Sequence, residues 1–222
     1  MIILTRDEEI QLLNYVLANG YDIENGSSRA AYEFTYEGKT YVLKVFLDRA
    51  GSLQTENEVD AFKNYNENKL FAYIYAVGRN CYVTEYIDEI ESFLRDCVES
   101  YSDYEYYRDE CIKDGYAEED IVSEESYNQL TDLHECLDNT LGETDDNCQL
   151  GWSHKQQLYV AYDYGYLSCY DFSDQVGHMD DYINDYGWAG ILEEALHMVE
   201  EAVCFTDYYG EPDKEDYENE EE

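Results

Sequence analysis

The spacing of apolar residues changes period several times along the chain, and each change marks an element. In RDEEIQLLNYVLA, residues 6–18, Ile10, Leu12, Leu13, Val16 and Leu17 recur at helical spacing, and Asn19-Gly20 closes the run. YDIE at 21–24 predicts a short strand. AAYEFTY at 30–36 and TYVLKVF at 40–46 are aromatic and β-branched and flank Glu37-Gly38-Lys39, which predicts a hairpin. SLQTENEVDAFKNY at 52–65 predicts a helix with Leu53 and Val59 or Phe62 inward, and LFAYIYAVG and CYVTEYI predict two more strands around Gly78-Arg79-Asn80. From Asp88 the texture changes. Ile90, Phe93, Leu94 and Val98 share one helical face, which predicts a single long helix over 88–114, up to about 40 Å at 1.5 Å per residue. Residues 121–139 predict another, with Ile121, Tyr127, Leu130, Leu133 and Leu137 inward. CQLGW and QQLYVAYD read as strands around 153–156, two helical segments follow near 177–186 and 188–204, and EPDKEDYENEEE reads as a solvated, disordered tail.

This order predicts an α+β chain rather than alternating βα units. The expected organisation is a small, mostly β lobe at 1–87, an acidic, mainly helical lobe at 88–210, and an acidic tail at 211–222.

Composition sharpens the picture. The chain has 222 residues, 44% apolar and 16% aromatic, enough to build a core despite a formal charge of −40. The start, MIILTRDEEI, has no signal-peptide pattern, and no window approaches 18 uninterrupted apolar residues, so neither secretion nor a membrane is expected. Seven cysteines without a C-x-x-C pair predict free thiols in a reducing cytoplasm. The charge is uneven: residues 1–87 hold 13 acids and 8 bases, whereas 88–147 hold 21 acids and 3 bases. Such a field repels nucleic acid and acidic membranes and attracts basic surfaces.

Several local motifs fall in a fixed order. NGSSRAAYEF, with Gly26, occupies the place between the first two predicted strands. YVLKVF carries Lys44, QTENEVDAF carries Glu58 fourteen residues on, VTEYID carries Glu85, DNCQLG carries Asn147, and YDYGY carries Asp163 sixteen residues later. This order resembles the protein-kinase-like superfamily in its divergent bacterial and bacteriophage form. The resemblance spans about residues 20–166. It implies a two-lobed fold with a small, mostly β N-lobe and a reduced helical C-lobe. It also implies that Gly26, Lys44 and Glu85 would meet a nucleotide if one binds, that Glu58 would pair with Lys44, and that Asn147 and Asp163 would hold the metal of ATP with magnesium. The reading of the residues alone leaves other roles open: Lys44 as a solvated strand lysine, Glu58 as a helix-face acid, Gly165 as a turn glycine.

Three departures speak against catalysis. The family's nucleophile-orienting aspartate lies five residues before the asparagine, and Gly142 stands there. The glycine-rich loop is reduced to Gly26. Pro212 is the only proline, so the Ala-Pro-Glu motif is absent. No catalytic residues and no cofactor are therefore expected, and the scaffold is expected to outlive the activity.

The acids offer an alternative use. Asp88, Glu89, Glu91, Asp96, Glu99, Asp103, Glu105, Asp109 and Glu110 recur at spacings near three to five, and Glu118, Glu119 and Asp120 follow. Carboxylates every ~5–6 Å along a helix face approach the charge density of a nucleic-acid backbone. The expected function is a DNA or RNA mimic, an inhibitor of a basic nucleic-acid-binding protein, of the kind used in phage counter-defence such as anti-restriction. Two alternatives are an active divergent kinase and a salt-adapted acidic protein; the near-ordinary charge of 1–87 counts against the second.

Overall fold

The computed structural model describes residues 1–25, 28–100, 103–141, 149–164 and 179–201. It is a mixed α and β structure. In chain order the elements are β1 (Ile2–Ile3), α1 (Arg6–Asn19), β2 (Tyr21–Asn25), β3 (Ala30–Tyr36), β4 (Lys39–Val45), α2 (Arg49–Tyr65), a 3₁₀ turn at Asn66–Asn68, β5 (Ile74–Val77), β6 (Cys81–Glu85), β7 (Ile87–Glu89), α3 (Ser92–Ser100), α4 (Tyr104–Asp114), α5 (Glu124–Leu141), β8 (Gln149–Ser153), β9 (Leu158–Tyr162) and α6 (Met179–Glu200). Among the described residues no helix is long and apolar enough to cross a membrane. The chain divides into two units: Met1–Leu53, Ala76–Val83 and the described part of Phe172–Glu222 form one, and Gln54–Tyr75 with the described part of Thr84–Asp171 the other.

The first unit is built on a six-stranded sheet in the order β1-β5-β6-β4-β3-β2. Its centre is the β3–β4 hairpin, paired in unbroken antiparallel register from Ala30↔Val45 to Tyr36↔Lys39. Glu37 and Gly38 make the turn with φ of +50° and +74°, the mirror-image geometry that matches strand twist. Helix α1 opens on a capping box in which Thr5 and Glu8 bond reciprocally, and it buries Leu13 and Val16. Helix α6 packs on α1 and contributes Ile191, Leu192, Ala195, Met198 and Val199 to the core. It is broken at Gly187, where φ is +69°, so the two predicted helical segments meet at that glycine. The Tyr32 hydroxyl donates to the Trp188 carbonyl at 2.7 Å, and the two rings stand edge to face.

The second unit holds the antiparallel sheet β7-β8-β9 and the helices α3, α4 and α5. Helix α5 turns Tyr127, Leu130, Leu133 and Leu137 inward, as their spacing predicts. Leu94, Cys97 and Val98 of α3 and Tyr107 and Cys111 of α4 are also buried. Gly151 lets β7 approach β8: a Cβ there would stand 2.3 Å from Ile87 Cγ2.

The single long helix expected over 88–114 is replaced by three elements. Asp88 and Glu89 belong to β7, and α3 ends at Ser100. Asp103 then starts α4 from an extended conformation, its carboxylate accepting from Glu105 N–H at 2.9 Å. A short acid before a run of helix formers is an N-cap signal, and here it outweighs continuity of the pattern.

Candidate functional site

Lys44 lies near the end of β4 with only 9% of its surface exposed. A lysine loses hydration at that depth, so its neighbours matter. Its Nζ is 5.9 Å from the Tyr82 ring centroid, and the Arg29 guanidinium is 5.7 Å from the same ring. An Arg29 N–H also donates to the Tyr82 hydroxyl at 3.3 Å. Two buried cations thus share one phenol in the first unit, and the solvated-lysine alternative does not hold. Nearby, Asp48 precedes α2 and accepts from Gly51 N–H at 2.9 Å through Oδ1, while its buried Oδ2 has no hydrogen-bond partner. Burial pushes the Asp48 carboxyl above its ordinary value, against the lowering effect of the Gly51 and Ala50 N–H groups. Gly51 admits this close packing. A Cβ there would meet Phe46 Cβ at 2.4 Å and the Ser28 carbonyl at 2.7 Å, both rigid. Gly51→Ala is therefore expected to cost about 1–3 kcal/mol, read as a lower denaturant midpoint.

Glu58 is 2% exposed on α2 in the second unit, so it is no ordinary surface acid. Its carbonyl accepts from the Tyr164 hydroxyl at 3.3 Å, and the buried Tyr164 ring packs on Phe71 with centroids 4.3 Å apart. Beside it, Asp163 takes φ of +52°, a left-handed turn conformation that aspartate adopts more readily than most residues. The structure thereby brings Glu58 and the Asp163-Tyr164 turn together. Glu85 serves its own unit: its carboxylate accepts from Tyr73 N–H and the Ser153 hydroxyl, each at 2.6 Å, and from Gln156 Nε2 at 3.2 Å. That buried carboxylate ties the Tyr73 backbone to the turn between β8 and β9, all within the second unit. Gly26 and Asn147 lie outside the described residues.

No family model matches this sequence, and no curated protein matches it.

The acids predicted to meet a partner all fall in the second unit. Asp88, Glu89, Glu91, Asp96, Asp103, Glu105, Asp109, Glu118, Glu119 and Asp120 are exposed, and Glu110 is half-buried; the side chain of Glu99 lies outside the description. Some have local work. Asp103 caps α4, Asp88 meets His154 at 2.6 Å, Glu118 meets Arg108 at 2.7 Å, and Glu110 meets Lys113 at 3.0 Å. Exposed pairs of this kind contribute little to stability. On α4, Glu105 and Asp109 stand one turn apart, facing away from the buried Tyr107 and Cys111.

Sequence reasoning missed Glu9, one of three acids in the first turn of α1. It is fully buried and accepts from Arg79 N–H at 2.9 Å and Asn80 N–H at 2.8 Å. The available signal was its register, four residues before Leu13 and seven before Val16.

Proposed function

We propose that this protein acts by binding, as a kinase-like scaffold that presents a fixed carboxylate array to a basic nucleic-acid-binding protein and blocks its cleft in the cytoplasm. The carrying observation is that the exposed acids Asp96 of α3 and Glu105 and Asp109 of α4 stand on short helices whose opposite faces are buried at Leu94, Cys97, Tyr107 and Cys111. Charges on rigid supports lose less freedom on docking than charges on a loose chain.

The test is competition. Labelled duplex DNA bound to a lysine-rich architectural protein is titrated with this chain, followed by anisotropy. Displacement is expected at low salt and is expected to vanish near about 0.5 M NaCl. Converting Asp96, Glu105, Asp109, Glu118, Glu119 and Asp120 to amides should weaken competition by about tenfold or more. A variant that melts like the parent and competes equally well would remove this reading.

A second reading, a divergent ATP-dependent kinase, is favoured by the buried Lys44 with Arg29. In it, Lys44 and Arg29 would neutralise phosphate. Magnesium-ATP raising the melting temperature, with Asp163→Asn abolishing phosphate transfer, would establish it; neither effect occurs in the binding reading.

A further inference from the structure

Lys155 lies in the turn between β8 and β9 and is exposed, yet its ammonium is not left to water alone. Its Nζ stands 3.8 Å from the Tyr73 ring centroid and 4.7 Å from that of Tyr75. The rings come from alternate positions along one stretch of chain, with centroids 4.9 Å apart at 64°, so they make an open corner. The corner is fixed. Tyr73 N–H donates to Glu85 Oε1 at 2.6 Å, its carbonyl accepts from Glu85 N–H at 3.0 Å, and Phe62 braces its ring edge to face at 5.4 Å. The turn that delivers Lys155 is fixed too, with Gln156 N–H donating to Ser153 Oγ at 2.9 Å and Gln156 Nε2 to the Phe71 carbonyl at 2.8 Å. Paired ring faces attract an ammonium through their quadrupoles. Lys155 is the single lysine or arginine between residues 148 and 210, and it occupies this corner.

We propose that Tyr73 and Tyr75 form a seat for a lysine side chain of a basic partner, and that Lys155 fills this seat until the partner's lysine displaces it. The proposal rests on the binding reading above, because a chain with 53 acids against 13 bases draws cationic partners. It adds a point of discrimination. Acidic helices attract any basic surface, whereas an aromatic corner accepts only a cation that reaches it at the right place.

The test uses the full chain and Nε-trimethyllysine amide as probe, followed through the ring-proton shifts of Tyr73 and Tyr75. Lys155→Ala is expected to bind the probe about fivefold more tightly than the parent. Adding Tyr73→Leu and Tyr75→Leu should remove the gain, and Tyr73→Phe with Tyr75→Phe should keep it, since phenylalanine retains the ring face. Equal binding by the parent and Lys155→Ala overturns the proposal, as does binding that survives the leucine pair. The titration needs no partner protein, so its failure is distinct from failure of the DNA competition, which tests the acidic surface.

Discussion

Tyr127→Ala is expected to destabilise the protein by about 3–5 kcal/mol, as large-to-small changes of buried aromatics do. The side chain is fully buried on α5. Its ring stacks on Tyr107 with centroids 5.0 Å apart and leans on Tyr104 at 5.7 Å. Its hydroxyl donates to the Cys97 carbonyl at 3.1 Å. Cys97 is among the last four residues of α3, whose carbonyls have no partner within the helix, so Tyr127 also caps α3. Tyr127→Phe separates the contributions: the ring remains, the cap goes, and about 1 kcal/mol should be lost. Guanidinium titration of both variants reads the difference. A loss below about 1 kcal/mol for the alanine variant would mean the α3–α4–α5 core is loose and could not hold charges in register.

The same cluster sets an alkaline limit. Burial is the first cause that pushes Tyr127 up to about 12 and raises Tyr107, Cys97 and Cys111 above their ordinary values. All four are neutral when protonated, and all have raised values in the folded state. Their stabilising contribution is therefore whole below the ordinary thiol value of 9.0 and is lost as pH climbs through the folded values. The denaturant midpoint should fall between about pH 9 and 12, and Tyr127→Phe should flatten that fall above about pH 10. A midpoint unchanged across this window would contradict the buried cluster.

The elements were readable where period and burial agree. The β3–β4 hairpin, α2 and the inward face of α5 all follow from residue type and spacing. What escaped depends on partners distant in sequence. Two exposed isoleucines in β1 carry no strand signal alone; they form one only because Ala76 and Val77 offer a parallel edge. Asp88 and Glu89 read as the start of an acidic helix until β8, some sixty residues later, pairs with them. The candidate residues divide in the same way. Burial of Lys44 and Glu58 could be anticipated from their neighbours in strand and helix. Arg29 beside Tyr82, and Tyr164 beneath Glu58, could not, because only the folded chain brings them together.

Glu9→Ala is the other change expected to cost about 3–5 kcal/mol, through unpaired donors and an emptied volume. The β5–β6 turn at Gly78-Arg79-Asn80 points two backbone N–H groups into the interior, where the Glu9 carboxylate receives them at 2.9 and 2.8 Å, with the Cys81 thiol at 3.5 Å. Gly78 makes room: a Cβ there would lie 2.5 Å from the carboxylate carbon. Because both oxygens accept, Glu9→Gln keeps one acceptor and turns a donor toward the other N–H, so it should fall between parent and alanine. Asn80 links the turn to the sheet, its carbonyl accepting from Phe46 N–H at 3.0 Å, so loosening the turn should loosen the end of β4, where Lys44 sits. Hydrogen exchange reads this directly. Faster exchange of Arg79, Asn80 and Phe46 N–H in Glu9→Ala, with the α5 amides unchanged, is the expected pattern. Uniform acceleration across both units would show that Glu9 acts on global stability and not through the turn.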